Sequence, residues 1–374
     1  MTAMNDITIP WSQPEIGEAE LKQVVDSFRK DWLTMGPKVK EFERSMAEYL
    51  RVPHAVAVSN GTIALDIALK IMGVGPGDEV IVPAMTYMAT AAAVSYQHAV
   101  PVFVDIEPQS YNLDPSKIEA ALSPRTRGII YIDYGGNPAD SDAIKEIAKR
   151  HNLFVLLDAA QSLGARYRGV PAGNQTELST MSFHMAKIMT TVEGGMIFTN
   201  NERYAAEARI RRNQGESGKY LHSHLGTNAR MTDMSAGIGL SQFGKLEWML
   251  RERKRVAQRY DSFFDGHSEI EVMKCVRPQS SHAYFFYPIL VASKNNVVDA
   301  LRNRGIDTRI AYPMPIYDQE VYKSGREQCR KIECPVAERF TSTVINLPIY
   351  PALTDEMVGV IAKTVLETIQ HVRS

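Results

Sequence analysis

Between about residues 55 and 200 the apolar positions fall into short continuous runs, separated by stretches on a helical period. The runs are AVAVS (55–59), EVIVP (79–83), PVFVD (101–105), GIIYI (128–132), LFVLLD (153–158), LSTMSF (178–183) and GMIFT (195–199). Continuous rather than alternating apolarity predicts strands covered on both faces, as in a parallel sheet. The intervening segments, such as GTIALDIALKIMG and SDAIKEIAKRH, predict helices. The pattern therefore predicts a doubly wound α/β domain with about seven strands. The GGM turn before the last run is short, so the last two strands are expected to pair antiparallel.

A long helical stretch, MSAGIGLSQFGKLEWMLRERKRVAQRYDSFF, leads out of this region. After it come a strand candidate (YFFYPILV), a helix (NVVDALRNRG) and a terminal helix (DEMVGVIAKTVLETIQ). The division expected is a large domain over residues 1–244 and a smaller α+β domain over 245–374.

Composition narrows the class. The chain has 374 residues, 44% hydrophobic and 23% charged, with a net charge of −1. That charge gives no electrostatic case for nucleic acid or an anionic membrane. No apolar run approaches the roughly 18 residues of a membrane span. The start, MTAMNDITIPWSQPEIGEAE, carries no apolar signal core. Cys275, Cys329 and Cys334 lack zinc spacing and suit a reducing cytoplasm. No metal site is expected.

In an open α/β sheet, ligands bind beyond the carboxyl ends of the strands. After the first strand, Ser59-Asn60-Gly61-Thr62 opens a helix whose N–H groups suit a phosphate, or simply form a cap and turn. After the second stands Tyr87, either a ring to stack on a ligand or a core aromatic. Asp158 ends an apolar strand, where an acid is costly without a cationic or capping partner. Ser182 ends a later strand, and Lys187 follows it among small and apolar residues. A desolvated amine has a depressed pKa and can form a Schiff base, whereas a snorkelling lysine would reach solvent. Together, a phosphate cradle, a stacking ring, an acid for a pyridinium nitrogen and a lysine for an aldehyde are what pyridoxal 5′-phosphate requires.

The chain resembles the DegT/DnrJ/EryC1/StrS family of sugar aminotransferases almost end to end. The resemblance runs through IPWSQPEIGEAEL, WLTMGPKVKEFE, SNGTIALDIAL, PAMTYMATAAAV, VDIEPQSYNLDP, DAAQSLGA, SFHMAKIMTTVEGG, LGTNARMTDMSAGIGLSQ and INLPIYPALTDE. It implies a fold-type I aminotransferase using pyridoxal 5′-phosphate. It further implies Lys187 as Schiff-base lysine and proton shuttle, Asp158 on the pyridine nitrogen and Gln161 near the ring hydroxyl. Tyr87 would stack on the ring, and Gly61, Thr62 and Ser182 would hold the phosphate. Asn228 resembles the asparagine that reaches the phosphate from a second subunit, which implies a homodimer with shared sites. The substrate implied is a keto-sugar on a nucleotide, with glutamate as amino donor. The start of the chain is more similar to members acting on 4-keto than on 3-keto sugars.

Three positions depart from the family pattern. Asp133-Tyr134-Gly135-Gly136 stands where many members read His-Leu-Tyr-Gly, and Gln214 and Tyr317 stand at frequent histidine positions. They bear on the acceptor rather than the cofactor. A ketocyclitol or 3-keto acceptor is the alternative within the family. A sugar dehydratase would carry histidine in place of Lys187, and a non-catalytic regulator need not keep a proton shuttle. A nicotinamide enzyme is disfavoured because GVGPGDEV precedes a strand and lacks G-x-G-x-x-G spacing.

Overall fold

The computed structural model describes residues 9–30 and 32–373. The first eight residues, part of the stretch read for a signal core, lie outside the described residues.

All seven apolar runs form strands: β1 (His54–Val58), β2 (Glu79–Pro83), β3 (Val100–Val104), β4 (Thr126–Ile132), β5 (Phe154–Asp158), β6 (Leu178–Ser182) and β7 (Gly195–Thr199). The central sheet runs in the order β1-β7-β6-β5-β4-β2-β3 and carries an eighth strand, Arg330–Lys331, at its edge. That strand lies parallel to β3, with Arg330 opposite Val102. It escaped the seven-strand expectation because it is two charged residues at an edge rather than an apolar run. Arg330 is held there by Glu79, whose carboxylate accepts its guanidinium at 2.7 Å. Interior strands bury consecutive residues, as Val80, Ile81 and Val82 of β2 do, because helices cover both faces.

β7 pairs antiparallel with both β6 and β1. The connection between β6 and β7 is longer than the GGM turn suggested. Residues 183–194 fold back on themselves, with Phe183 N–H donating to the Gly194 carbonyl at 2.8 Å.

Helix α1 (Glu18–Arg29) is followed by α2 (Pro37–Leu50), with proline at its first position. Helix α3 (Gly61–Ile71) follows β1, and α4 (Met88–Ser95) follows β2. A 32-residue helix, α5 (Asp233–Phe264), leaves the sheet. The Asp233 carboxylate accepts the N–H groups of Gly36, Lys38 and Val39 at 2.9, 3.2 and 3.0 Å, pinning the start of α2 to the start of α5.

Position 244/245 falls within α5. Beyond it, β8 (Glu271–Val272), β9 (Tyr287–Leu290) and β10 (Val344–Leu347) form a three-stranded antiparallel sheet. Its core contains Tyr260, Tyr287, Leu301, Leu347 and Ile361, together with Ile9 from the other end of the chain. Conversely, Tyr312, Tyr317 and Phe340 pack into the core of the large sheet.

Candidate active site

Strand register assembles the site before any side chain is considered. Gly195, the first residue of β7, lies opposite both Val58 and Ser182. The segments that follow β1 and β6 therefore emerge side by side at one edge. On the neighbouring strands, Asp158 lies opposite both Ile132 and Thr180, so the end of β5 reaches the same edge.

At this edge the sequence makes an open helix start. The Asn60 side chain accepts the Ile63 N–H at 2.9 Å, and its carbonyl accepts the Ala64 N–H at 3.1 Å. Gly61 and Thr62 thus lie in the first turn, whose N–H groups could donate to an anion. A Cβ on Gly61 would lie 2.8 Å from Ser182 Cβ, and a Cβ on Gly195 would lie 2.4 Å from the Asn60 carbonyl carbon. Two glycines let helix start and strand end close into one cradle, with the Ser182 hydroxyl on its wall.

Asp158 is buried. Its Oδ2 accepts from Thr90 Oγ1 at 2.8 Å and its Oδ1 from the Ala160 N–H at 3.1 Å. Burial raises its pKa, opposed by these two donors and by the charge of Lys187. The reciprocal effect appears on Lys187, which is half-buried. Loss of solvent brings its pKa down to about 8, with Asp158 pulling the other way. Its neighbours Ile188 and Met189 are buried and anchor the loop, and the Lys187 amine sits over the Phe285 ring, 4.7 Å from the centroid. An amine of this kind is a usable nucleophile and proton carrier near neutrality.

Gln161 is buried and fully oriented by its own chain. Its Oε1 accepts from the Gly135 N–H and its Nε2 donates to the Tyr312 hydroxyl, both at 2.7 Å. Tyr87 precedes α4 and is 63% exposed, so its ring is not a core aromatic.

Asn228 is exposed. It bridges Asn213, and the next residue, Ala229, gives its carbonyl to the Ser59 N–H at 2.8 Å. It does not cap α5, because the Thr232 side chain does so by accepting the Ser235 N–H. The polar stretch before it folds into a hairpin, Glu216–Gly218 with Leu221–His222.

The three departing positions have different surroundings. Asp133 is buried and accepts the Ala139 N–H at 2.9 Å, and burial pushes its pKa up to about 6. Tyr317 is buried beside Phe103 and donates to Glu338 at 2.9 Å. Gln214 takes a left-handed backbone, φ 62°, and donates its N–H to Thr227.

Sequence reasoning missed Thr90, Phe285 and Tyr312. Thr90 was within reach, since it stands three residues after Tyr87 at the start of a helix. Tyr312 and Phe285 arrive from the far part of the chain and carry no local signal.

The residues present suit pyridoxal 5′-phosphate: a cradle that added Cβ atoms would fill, a buried acid for a ring nitrogen, and an amine of lowered pKa for an aldehyde. Among the described residues no cluster of metal-ligating side chains occurs.

Comparison with known proteins agrees. The DegT/DnrJ/EryC1/StrS aminotransferase family matches residues 14–366. The chain is 36% identical over 362 residues to the GDP-perosamine synthase of Caulobacter vibrioides, covering 94% of this chain and 96% of that one. It is 36% identical over 337 residues to the dTDP-3-amino-3,4,6-trideoxy-alpha-D-glucose transaminase of Streptomyces venezuelae, covering 90% and 87%. The solved PLP-form of Spr1654 from Streptococcus pneumoniae superposes with a TM-score of 0.91 at 31% identity, covering 97% of this chain and 99% of that one.

Proposed function

Because the chain belongs to the DegT/DnrJ/EryC1/StrS aminotransferase family and is a pyridoxal 5′-phosphate-dependent aminotransferase, we propose that it transfers the amino group of glutamate to a keto-sugar carried on a nucleotide. A 4-keto-6-deoxyhexose is the acceptor proposed, for aminosugar or surface-polysaccharide synthesis. The observation that carries the reading is the facing of Lys187 and Asp158 beside the Gly61–Ser182 cradle, in a chain whose relatives are named for GDP- and dTDP-linked aminosugars.

When bound, the cofactor supplies an electron sink for proton removal next to nitrogen. The side chains divide the remaining work. Gly61, Thr62 and Ser182 would hold the phosphate, and Tyr87 would stack on the ring. Asp158 would keep the pyridine nitrogen protonated through a charge-assisted bond, about twice as strong as a neutral one. Lys187 would hold the cofactor through its aldehyde and, once released, would carry the proton of the transfer on its amine. Its low pKa leaves the amine free to take that proton near neutral pH.

Asn228 is exposed, and the hairpin region before it exposes Tyr220, Leu221 and Leu225. Helix α1 exposes Leu21, Val25 and Phe28. Apolar side chains left uncovered in this way support a homodimer in which Asn228 completes the partner's phosphate site. The three free cysteines support a cytoplasmic protein, and among the described residues no helix is long and apolar enough to cross a membrane.

The acceptor is tested by supplying 15N-glutamate with GDP-, UDP- and dTDP-linked keto-sugars and following the label into the product by NMR. Label at C4 of a 6-deoxyhexose is expected, and label only at C3 or in a ketocyclitol would replace the acceptor proposed. Lys187→Ala protein should be inactive in the same assay. For the shared site, inactive Lys187→Ala protein is mixed with inactive Asn228→Asp protein under conditions that exchange subunits. Activity should reappear, since one site of each hybrid carries neither defect; a mixture still inactive after proven exchange rules out sharing.

A further inference from the structure

The hydrogen bonds around Gln161 leave its carboxamide one orientation. A backbone N–H can only donate, so the group facing Gly135 N, at 2.7 Å, is Oε1. The Nε2 group then faces the Tyr312 hydroxyl, also at 2.7 Å, which accepts one of its two hydrogens. Gly135 can present its N–H there because it adopts a left-handed backbone, φ 63°, and its carbonyl is held in turn by the N–H groups of Phe285 and Phe286. Tyr312 is itself fixed by burial against Tyr134, with ring centroids 5.9 Å apart. Burial, reinforced by the charge of Asp158 and by Tyr87, keeps its hydroxyl far from ionising, so it remains a neutral acceptor.

We propose that Tyr312 is a positioning residue for the cofactor: with Gly135 it clamps the Gln161 amide so that the second Nε2 hydrogen is left for the cofactor's ring oxygen. Two partners from distant parts of the chain, one a backbone N–H and one a phenol, thus decide that an N–H rather than a carbonyl meets that oxygen. A carbonyl there would repel the ring oxygen once it carries charge. The inference rests on the reading that Gln161 faces the ring hydroxyl.

The test reads the bound cofactor rather than turnover. A donor at the ring oxygen lowers the pH at which the visible band of the bound cofactor titrates. Holoenzyme, Tyr312→Phe, Gln161→Ala and the double variant are titrated in parallel, with cofactor occupancy measured for each. Tyr312→Phe should raise the midpoint by about one pH unit, the worth of one ordinary hydrogen bond. Gln161→Ala should raise it at least as far, and Tyr312→Phe should add nothing in the Gln161→Ala background. Should the phenylalanine variant not fold, Tyr312→Met removes the same hydroxyl. A wild-type midpoint in Tyr312→Phe, or an equal shift with and without Gln161, would overturn the clamp. A wild-type midpoint in Gln161→Ala would instead overturn the underlying placement of Gln161, and the clamp with it.

Discussion

Replacing Asp158 by asparagine removes one charge while keeping shape, and the structure shows how the new amide would settle. The Ala160 N–H can only donate, so the asparagine oxygen stays with it, at the 3.1 Å position now held by Oδ1. The NH2 group then meets Thr90 Oγ1, which can turn to accept because it also shares a 2.9 Å hydrogen bond with Thr86 Oγ1. The fold should lose no more than the roughly 1 kcal/mol of one rearranged hydrogen bond. The cofactor should stay bound, since Gly61, Thr62 and Ser182 are untouched. Catalysis should not survive so well. An amide cannot hold the proton on a pyridine nitrogen, and losing one preorganised electrostatic partner typically costs about 10² to 10³ in turnover, or about 3 to 4 kcal/mol of barrier. Lys187 responds as well: Asp158 is the group holding its pKa up against burial, so the free amine should titrate below about 8 in the variant. The assay is kcat per bound cofactor at saturating substrates, with occupancy from absorbance and folding checked by urea titration. Near-wild-type turnover at full occupancy would refute the assignment.

Two further predictions concern stability and the cradle. The folded-state pKa of Asp133, about 6, lies above its unfolded value of 3.8, so the folded state holds the extra proton and stability falls as pH rises through that window; the loss should be on the order of 2 kcal/mol, and Asp133→Asn should abolish it in urea melts at pH 4 and 7.5. An unchanged pH slope in that variant would clear Asp133 of the effect. In Gly195→Ala the new Cβ would press on the Asn60 backbone, and overpacking of about 1 to 3 kcal/mol should weaken cofactor binding about ten- to a hundredfold. Gly75→Ala, whose Cβ meets open space, should bind as wild type, and equal affinities for the two variants in a fluorescence titration would contradict the cradle.

What the sequence determined by itself was whatever rests on burial along a short stretch. Strands covered on both faces must be apolar residue after residue, so β1 to β7 were legible as runs, and a charged residue at the end of such a run marked Asp158. Gly61, Ser182 and Lys187 were legible for the same reason, as polar or small residues at or just beyond the end of an apolar strand. Tertiary structure alone decided the rest. The edge strand Arg330–Lys331 exists because Glu79, 251 residues earlier, holds Arg330. Tyr312 meets Gln161 across 151 residues, and Phe285 reaches Lys187 from the second half of the chain. Gly135 offers its N–H only because the loop around it takes a left-handed turn against Phe285 and Phe286. A local pattern records how much water a segment sees; which distant group supplies its hydrogen bond is settled only when the sheet has closed and the register of its strands is set.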